Sequence, residues 1–377
     1  MRALIDYRPA LRERSGVGEY THELARALLS AYSGQGPNRA LDLVLFSSSW
    51  KDRLVLPPAL AGATAVDRRV PVGVLNFAWH RVEWPPIEWL SSQQIDVAHS
   101  SHPLLLPSRH AARIVTIHDL YFLAHPELAR AEIRRDYPVL ARAHARRADG
   151  IIVSSQFMAR KVEGQFEVPS ERIAVCPAGA PDWPPRAAPP AGGGYLLFFG
   201  TLEARKNVGG LLDAYEILLA RRRDVPPLVL AGRATSAARP WLDRLARAPL
   251  AGVARHVGYV DPADRRALYD GARMLIQPSF EEGFGMTVLE AMTIGLPVVA
   301  ANRGALPEVL GDAGPVVEPD EPEQMASAIE RLLDDSAYAS AASAKGVLRA
   351  AQFSWARTAE RVYLAYQHAI EHRCASA

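Results

Sequence analysis

Short apolar runs alternate with amphipathic segments along this whole chain. Ala3-Leu-Ile5 predicts a strand, and Tyr20 to Leu29 predicts the helix that follows it. Leu43-Val-Leu-Phe46, Val97-Ala98, Ile114-Val-Thr-Ile117 and Ile151-Ile-Val153 predict further strands. Between the last two, Ala131 to Arg147 reads as an arginine-studded helix with a kink at Pro138. Strands that alternate with helices in this way build a parallel sheet with helices on both faces.

The pattern breaks at Pro177 to Gly194, where prolines and glycines crowd together. Such a stretch marks a linker between domains, and it suits a hinge. The alternation then restarts. Strands are predicted at Tyr195–Phe199, Leu228–Leu230, His256–Val260, Met274–Ile276 and Pro297–Ala300, with a helix over Asn207–Ala220. The tail from Ser354 to Ile370 has Trp355, Ala359, Val362, Tyr363 and Tyr366 at helical spacing. The predicted division is a first domain over 1–178, a linker over 179–194, a second domain over 195–352 and a terminal helix over 353–377. A length of 377 residues exceeds what one core holds.

Composition narrows the function. A net charge of +2 provides no domain-wide basic field, so nucleic acid is not expected as a partner. The two cysteines, Cys176 and Cys374, make no disulfide framework and no metal spacing, and they read as reduced cytosolic thiols. The start, Met1-Arg-Ala-Leu-Ile-Asp6, reads as a strand rather than a signal peptide. No apolar run approaches the ~20 residues that span a bilayer. No Gly-x-Gly-x-x-Gly follows a predicted strand, and no Gly-x4-Gly-Lys-Ser/Thr occurs. A nicotinamide dehydrogenase and a P-loop ATPase are thereby set aside.

The densest chemistry lies in Glu282-Gly-Phe-Gly-Met-Thr-Val-Leu-Glu290. Two carboxylates flank a glycine loop that feeds a helix. Gly283, Phe284, Gly285, Met286 and Thr287 form the loop and first turn, whose free N–H groups suit phosphate or sugar oxygens. Carboxylates accept hydrogen bonds from vicinal hydroxyls, so the arrangement fits an elongated anionic ligand that bears sugars. Acidic residues at a helix start also favour its dipole, which is the structural reading of the same pair. Arg205 and Lys206 follow a strand and a Gly-Thr turn, and two such cations suit a diphosphate. Gly16 and Gly18 open a helix in the first domain and could present N–H groups there. His118, with Asp119 beside it, ends the Ile114–Ile117 strand. His99 and His102 follow another strand, as acceptor-side or structural residues. No convincing metal site is evident; His368 and His372 have chelating spacing but read as a solvated helix end.

The segment Pro278-Ser-Phe-Glu-Glu-Gly-Phe-Gly-Met-Thr-Val-Leu-Glu-Ala-Met292 resembles the Glu-x7-Glu signature of retaining glycosyltransferases of family 4. Gly16-Val-Gly-Glu-Tyr20, Thr116-Ile-His-Asp-Leu120, Gly200-Thr-Leu-Glu-Ala-Arg-Lys-Asn207 and Asn302-Arg-Gly-Ala-Leu-Pro-Glu-Val309 resemble that family's other motifs, in order. The resemblance implies an α/β fold of GT-B architecture: two Rossmann-like domains with parallel sheets facing a cleft, and a C-terminal helix returning to the first. It implies a nucleotide-sugar donor, transfer with retention, no cofactor and no metal. Carried over by motif, Glu290 would accept from the nucleotide ribose and Glu282 would hold donor-sugar hydroxyls. Arg205 and Lys206 would take the diphosphate, with Gly16 and Gly18 opposite them. His118 would bind the reacting sugar or acceptor.

The basic loop looks like that of bacterial mannosyltransferases, which makes GDP-mannose the leading donor and polysaccharide assembly the leading context. The acceptor would be a glycan or a polyprenyl-linked glycan. The chain departs from the family at Thr201, where many members carry arginine, and at Glu281, often neutral. A non-transferring enzyme such as a nucleotide-sugar epimerase, or a silent sugar-binding subunit, is the alternative reading. The arginines of the 130–147 segment, Arg134, Arg135, Arg142 and Arg146, suit peripheral contact with an anionic membrane or a solvated face. Trp79, Trp84 and Trp89 suit sugar stacking, hydrocarbon or core.

Overall fold

The computed structural model describes residues 1–11, 14, 16–32, 40–124 and 137–376. Two compact units emerge: Met1–Gly179 with Ser354–Ala377, and Ala180–Phe353. Each is built on one wholly parallel sheet.

The first sheet contains β1 (Arg2–Asp6), β2 (Asp42–Ser48), β3 (Thr64–Arg68), β4 (Val97–Ser100), β5 (Ala112–Ile117), β6 (Gly150–Val153) and β7 (Ile173–Val175). Their order across the sheet is β3-β2-β1-β4-β5-β6-β7. Register runs Ala3 beside Leu43 on one side and Val97 on the other. The second contains β8 (Tyr195–Phe199), β9 (Leu228–Ala231), β10 (Ala254–Gly258), β11 (Ala272–Gln277), β12 (Val298–Ala301) and β13 (Val316–Val317), ordered β10-β9-β8-β11-β12-β13. Both orders reverse direction after the first strand, between β1 and β4 and between β8 and β11. Such switch points leave a crevice beyond the strand carboxyl ends where ligands bind in open α/β sheets.

Burial explains why these runs fold as strands. Leu4, Val44, Ile114, Leu197, Val229 and Ile276 are essentially inaccessible, as residues of doubly covered strands must be. In the second unit Phe198, Leu211, Tyr215, Leu230 and Ile276 share one core cluster.

The terminal helix spans Trp355–Ser376 and belongs to the first unit. Gly179 shows why the chain can reach it. A Cβ there would stand 2.2 Å from the Trp355 nitrogen. Tyr366 is wholly buried, and its hydroxyl lies 2.7 Å from His99 Nδ1. The stretch read as a linker is held within the second unit: Arg186 N donates to Ile294 O at 3.0 Å and its guanidinium to Ala272 O at 2.8 Å. Of the arginine-studded helix, Tyr137–Arg147 is described, while Arg134 and Arg135 lie outside the described residues.

Candidate active site

The second unit gathers the donor-type motifs at its β8/β11 switch point. After β8 the chain makes a 3-10 turn, Ala204–Lys206. Asn207 stops that turn in the left-handed region (φ 54°), and its side chain then caps the helix Val208–Arg221 by accepting from Gly210 N. A residue that tolerates positive φ and caps a helix is what this corner requires. The turn swings Arg205 and Lys206 toward the loop after β11, and Phe280 N donates to Arg205 O at 2.9 Å.

Lys206 Nζ donates to Glu282 Oε2 at 2.5 Å, with both side chains nearly buried. Arg205 stands 3.6 Å from Glu282 Oε1 and also donates to Glu281 O and Glu203 Oε1. Burial acts to raise the Glu282 pKa, but Lys206, Arg205 and Ser279 outweigh it and hold the carboxyl below its ordinary value. Burial lowers Lys206 more than Glu282 raises it. Glu282 is therefore a carboxylate with its charge balanced by two cations.

The loop Gly283-Phe-Gly285 leads into the helix Met286–Thr293. Gly285 has φ 107°, a conformation that side chains resist. Phe284 packs edge-on against Phe353. The amino end of this helix is joined to Glu282 by a chain of side-chain hydrogen bonds. Thr287 donates to Gln277 Oε1 (3.2 Å), Gln277 Nε2 to Ser279 Oγ (2.9 Å), and Ser279 to Glu282 Oε2 (3.2 Å). Met286 lies in the same first turn, partly exposed.

Glu290 sits two turns in, mostly buried. Its Oε2 accepts from the Tyr269 hydroxyl at 2.6 Å, and Arg265 Nη1 lies 3.5 Å from Oε1. Burial first, then Glu290, pushes the Tyr269 phenol well above its ordinary pKa, so it stays protonated and donates. Gly304 (φ 64°) closes the site from behind. A Cβ there would lie 2.4 Å from Glu282 O and 2.6 Å from Glu282 N. Ala305 N donates to Glu282 O at 2.8 Å.

The first unit holds the remaining candidates. His118 follows β5, with Tyr20 edge-on at 5.0 Å. Burial lowers its pKa to about 4 against the pull of Asp119, so the ring is neutral near pH 7. Its Nε2 has no hydrogen-bond partner among the described residues. Gly16 is exposed at φ 45°. Gly18 lies in the helix Val17–Tyr32, where a Cβ would come 2.5 Å from Pro9 O, so close packing there demands glycine. His99 is buried between Tyr366 and Thr116, which explains it structurally.

Sequence reasoning missed Tyr269, Arg265, Gln277 and Ser279. It also missed Asp6, which pairs with Arg8 at 2.7 Å beside His102 at the β1/β4 switch point. Ser279 lies inside the Pro278–Met292 signature segment without standing out in it, and the others lie outside every motif, brought in by the sheet order. Among the described residues, no group of three or more His, Cys, Asp or Glu converges as a metal site.

Two units, each built on a parallel sheet of Rossmann-like order, have the architecture of the GT-B glycosyltransferases. A "Glycosyltransferase Family 4" model matches residues 14–182, and a "Glycosyl transferases group 1" model matches 193–335. The chain is 33% identical to the O-antigen chain mannosyltransferase B of Escherichia coli over 295 residues, covering 74% of this chain and 76% of that protein. It belongs to the family 4 glycosyltransferases. The sucrose-phosphate synthase of Thermosynechococcus elongatus shares the fold over 100% of this chain and 99% of its own (TM-score 0.77, 19% identity). So does the Anabaena protein HepE, solved with UDP-glucose, over 100% of each chain (TM-score 0.67, 16% identity).

Proposed function

We propose that this protein transfers mannose from GDP-mannose, with retention and without a metal ion, to a glycan or polyprenyl-linked glycan acceptor. The reaction belongs to cell-surface polysaccharide assembly. It takes place in the cytoplasm, with peripheral contact to an anionic membrane face. The observation that carries the reading is the buried ion pair of Lys206 and Glu282 with Arg205 beside it, at the β8/β11 switch point. The relative from Escherichia coli, named a mannosyltransferase, supports the sugar. The UDP-glucose on the Anabaena neighbour supports a nucleotide-sugar donor.

In this reading Glu290 accepts from the ribose hydroxyls, while Tyr269 fixes the carboxylate. Glu282 holds hydroxyls of the donor sugar. As the glycosidic bond breaks, negative charge grows on the diphosphate. Arg205 and Lys206 stabilise that charge more in the transition state than in the ground state. They supply the positive charge that a divalent ion supplies elsewhere. A two-step retaining route needs a second carboxyl ~5 Å from the first to act as nucleophile. Glu282 is committed to its cations, which favours attack on the same face, with the leaving phosphate taking the acceptor's proton. The amides of Gly283 to Thr287 cradle the sugar and phosphate, and His118 binds the reacting sugar or acceptor in its neutral form.

The test is a thermal-shift screen with GDP-mannose, UDP-glucose and UDP-GlcNAc on the wild type and Glu290→Ala. A ligand at about 100 times its Kd adds roughly 2.7 kcal/mol. A shift with GDP-mannose that the substitution abolishes is the expected result. A shift with another nucleotide sugar alone overturns the donor assignment, and no shift with any overturns the site.

A further inference from the structure

Between β3 and β4 the first unit carries a segment whose apolar residues point two ways. Leu75, Trp79 and Ile87 are inaccessible and join the core that contains Leu4 and Phe46. Val72, Val74, Phe77, Val82, Trp84 and Trp89 face outward, from 42% to 66% exposed. The backbone of this stretch is a helix, Val72–Phe77, a π-helical turn, Ala78–Val82, and Glu83 in the left-handed region. It is anchored from inside by the Arg8 guanidinium over the Trp79 ring and by Trp79 Nε1 donating to Pro85 O. Its outer face is therefore held out by a fixed inner one. Six large apolar side chains concentrated in one surface segment exceed the scattered exposure that ordinary surfaces show.

Cations surround it. Arg81 is exposed on the segment itself. Arg109 stacks over the exposed Trp89 ring at 4.9 Å. Glu83 pairs with Arg147 at 2.6 Å, which ties the segment to the helix Tyr137–Arg147. That helix carries Arg142, Arg146 and Arg147, no acidic residue of its own, and an exposed Val139, with Arg146 paired to Glu167. Beside Trp84 a cavity of about 160 Å³ has Arg109, Arg113 and Arg147 in its wall, with Glu83. Glu88, partly buried, turns its Oε1 to Ser108 and the amides of Arg109 and His110, and its carboxylate offsets one of these cations.

We propose that the Val72–Trp89 segment enters the interfacial layer of an anionic phospholipid bilayer. The arginines around it meet headgroup phosphates, one of which sits in the cavity beside Trp84. Aromatic and aliphatic side chains with flanking arginines are the composition of interfacial anchors. A glycan would use the two tryptophans but leave Val72, Val74, Phe77 and Val82 uncovered. No helix among the described residues is long and apolar enough to cross a membrane, so the contact is with one face. The inference rests on the peripheral membrane contact proposed above and not on the donor.

The test is co-sedimentation of the full chain with phosphatidylcholine vesicles, with and without about a third phosphatidylglycerol. The variants are Phe77→Ser with Val82→Ser, and separately Arg142→Glu with Arg146→Glu. Binding of the wild type to the anionic vesicles is expected, reduced at least tenfold by the Phe77/Val82 variant. Its melting temperature and its turnover of a water-soluble acceptor should be unchanged, and Trp emission should shift to the blue on binding only in the wild type. No wild-type binding to either vesicle removes membrane contact altogether. Full binding by the Phe77/Val82 variant, with loss only in the arginine variant, leaves membrane contact standing but overturns the apolar anchor. A dimer that the serine variant dissolves, without vesicle binding, assigns the face to a second copy and overturns the proposal.

Discussion

The Tyr269 hydroxyl, fully buried, donates to Glu290 Oε2 at 2.6 Å across 21 residues of sequence. This bond joins the helix Arg265–Asp270, which precedes β11, to the helix Met286–Thr293 that follows it. It sets which lone pairs of Glu290 remain for a ligand. Tyr269→Phe keeps the ring packing against Phe199 and Trp183 and removes only the donor. A hydrogen bond to a charged group contributes about 1.5–3 kcal/mol. We expect KM for the nucleotide sugar to rise about tenfold with kcat nearly constant, since the proposed ribose contact would be made alike in ground and transition states. Steady-state kinetics with the donor and a 3′-deoxyribose analogue checks this. Unchanged KM for both would remove Tyr269 from the site.

Lys206 and Glu282 are coupled tightly enough that stability and catalysis should separate. Removing one partner of a buried pair costs about 3–5 kcal/mol, since the other charge is left unpaired. Lys206→Met should therefore lower the stability of the second unit and raise the Glu282 pKa. Replacing both, Lys206→Met with Glu282→Leu, should restore most of the stability while activity stays at least a hundredfold down. Chemical denaturation beside initial rates decides the matter. If the double variant recovers activity with stability, the pair is structural only.

Much of the fold was legible, and the misses have one physical cause. The strands found from apolar runs, such as β1, β5, β8 and β12, are central and buried along their length. Those overlooked or displaced are the sheet edges. β3 buries only Val66 of its five residues, β7 buries none fully, and β13 has two residues. β10 was expected at His256–Val260 but runs Ala254–Gly258, ending where Gly258 turns to φ 77°. An edge strand has one exposed flank and needs no continuous apolar run. In the site, the motif residues lie on loops that local patterns mark. Their partners do not: Lys206 meets Glu282 76 residues away because β8 and β11 are neighbours. Strand order is set by tertiary packing, and no run of residues spells it. The three tryptophans divide in the same way, with Trp79 in the core and Trp84 and Trp89 half exposed.

Gly304 should prove a positioning residue for Glu282. An alanine Cβ there meets backbone atoms, which cannot swing aside as a side chain can. Gly304→Ala should displace the Glu282 loop and reduce kcat at least tenfold. Gly252→Ala is the control, since Gly252 also has positive φ (82°) but nothing within 4 Å of the added carbon. Both variants bear the conformational penalty of about 1–3 kcal/mol, and only Gly304→Ala should lose turnover. Equal activities would show that the contact relaxes without moving Glu282.

Full activity is expected in excess EDTA. In the proposed reading Arg205 and Lys206 take the diphosphate, and the carboxylate beside them is already paired with both. Initial rates measured with EDTA and then with added Mg2+ or Mn2+ check this. A strict requirement for either ion would mean that the two side chains do not suffice for the leaving group.

Acid should destabilise the first unit before the second. His80 and His99 are lowered to about 3, and His118 and His144 to about 4, in each case chiefly by burial. All four belong to the first unit. Each is neutral when folded and takes up a proton near pH 6.5 when unfolded, so the unfolded chain binds more protons below that pH. Their contribution is fully present above pH 6.5 and is lost as pH falls toward 4. For a fully buried imidazole the loss is about 1.4 kcal/mol one unit below pH 6.5. The lowered carboxyl of Glu282 has the same sign but acts only below its unfolded value of 4.5. Denaturation followed at pH 7.5, 6.0 and 5.0 should therefore show a falling midpoint for the first unit and a steady one for the second. Replacing His99, whose two nitrogens lie within hydrogen-bonding distance of Tyr366 and Thr116, by glutamine should flatten that slope. An unchanged slope in His99→Gln would mean that this imidazole does not carry its share.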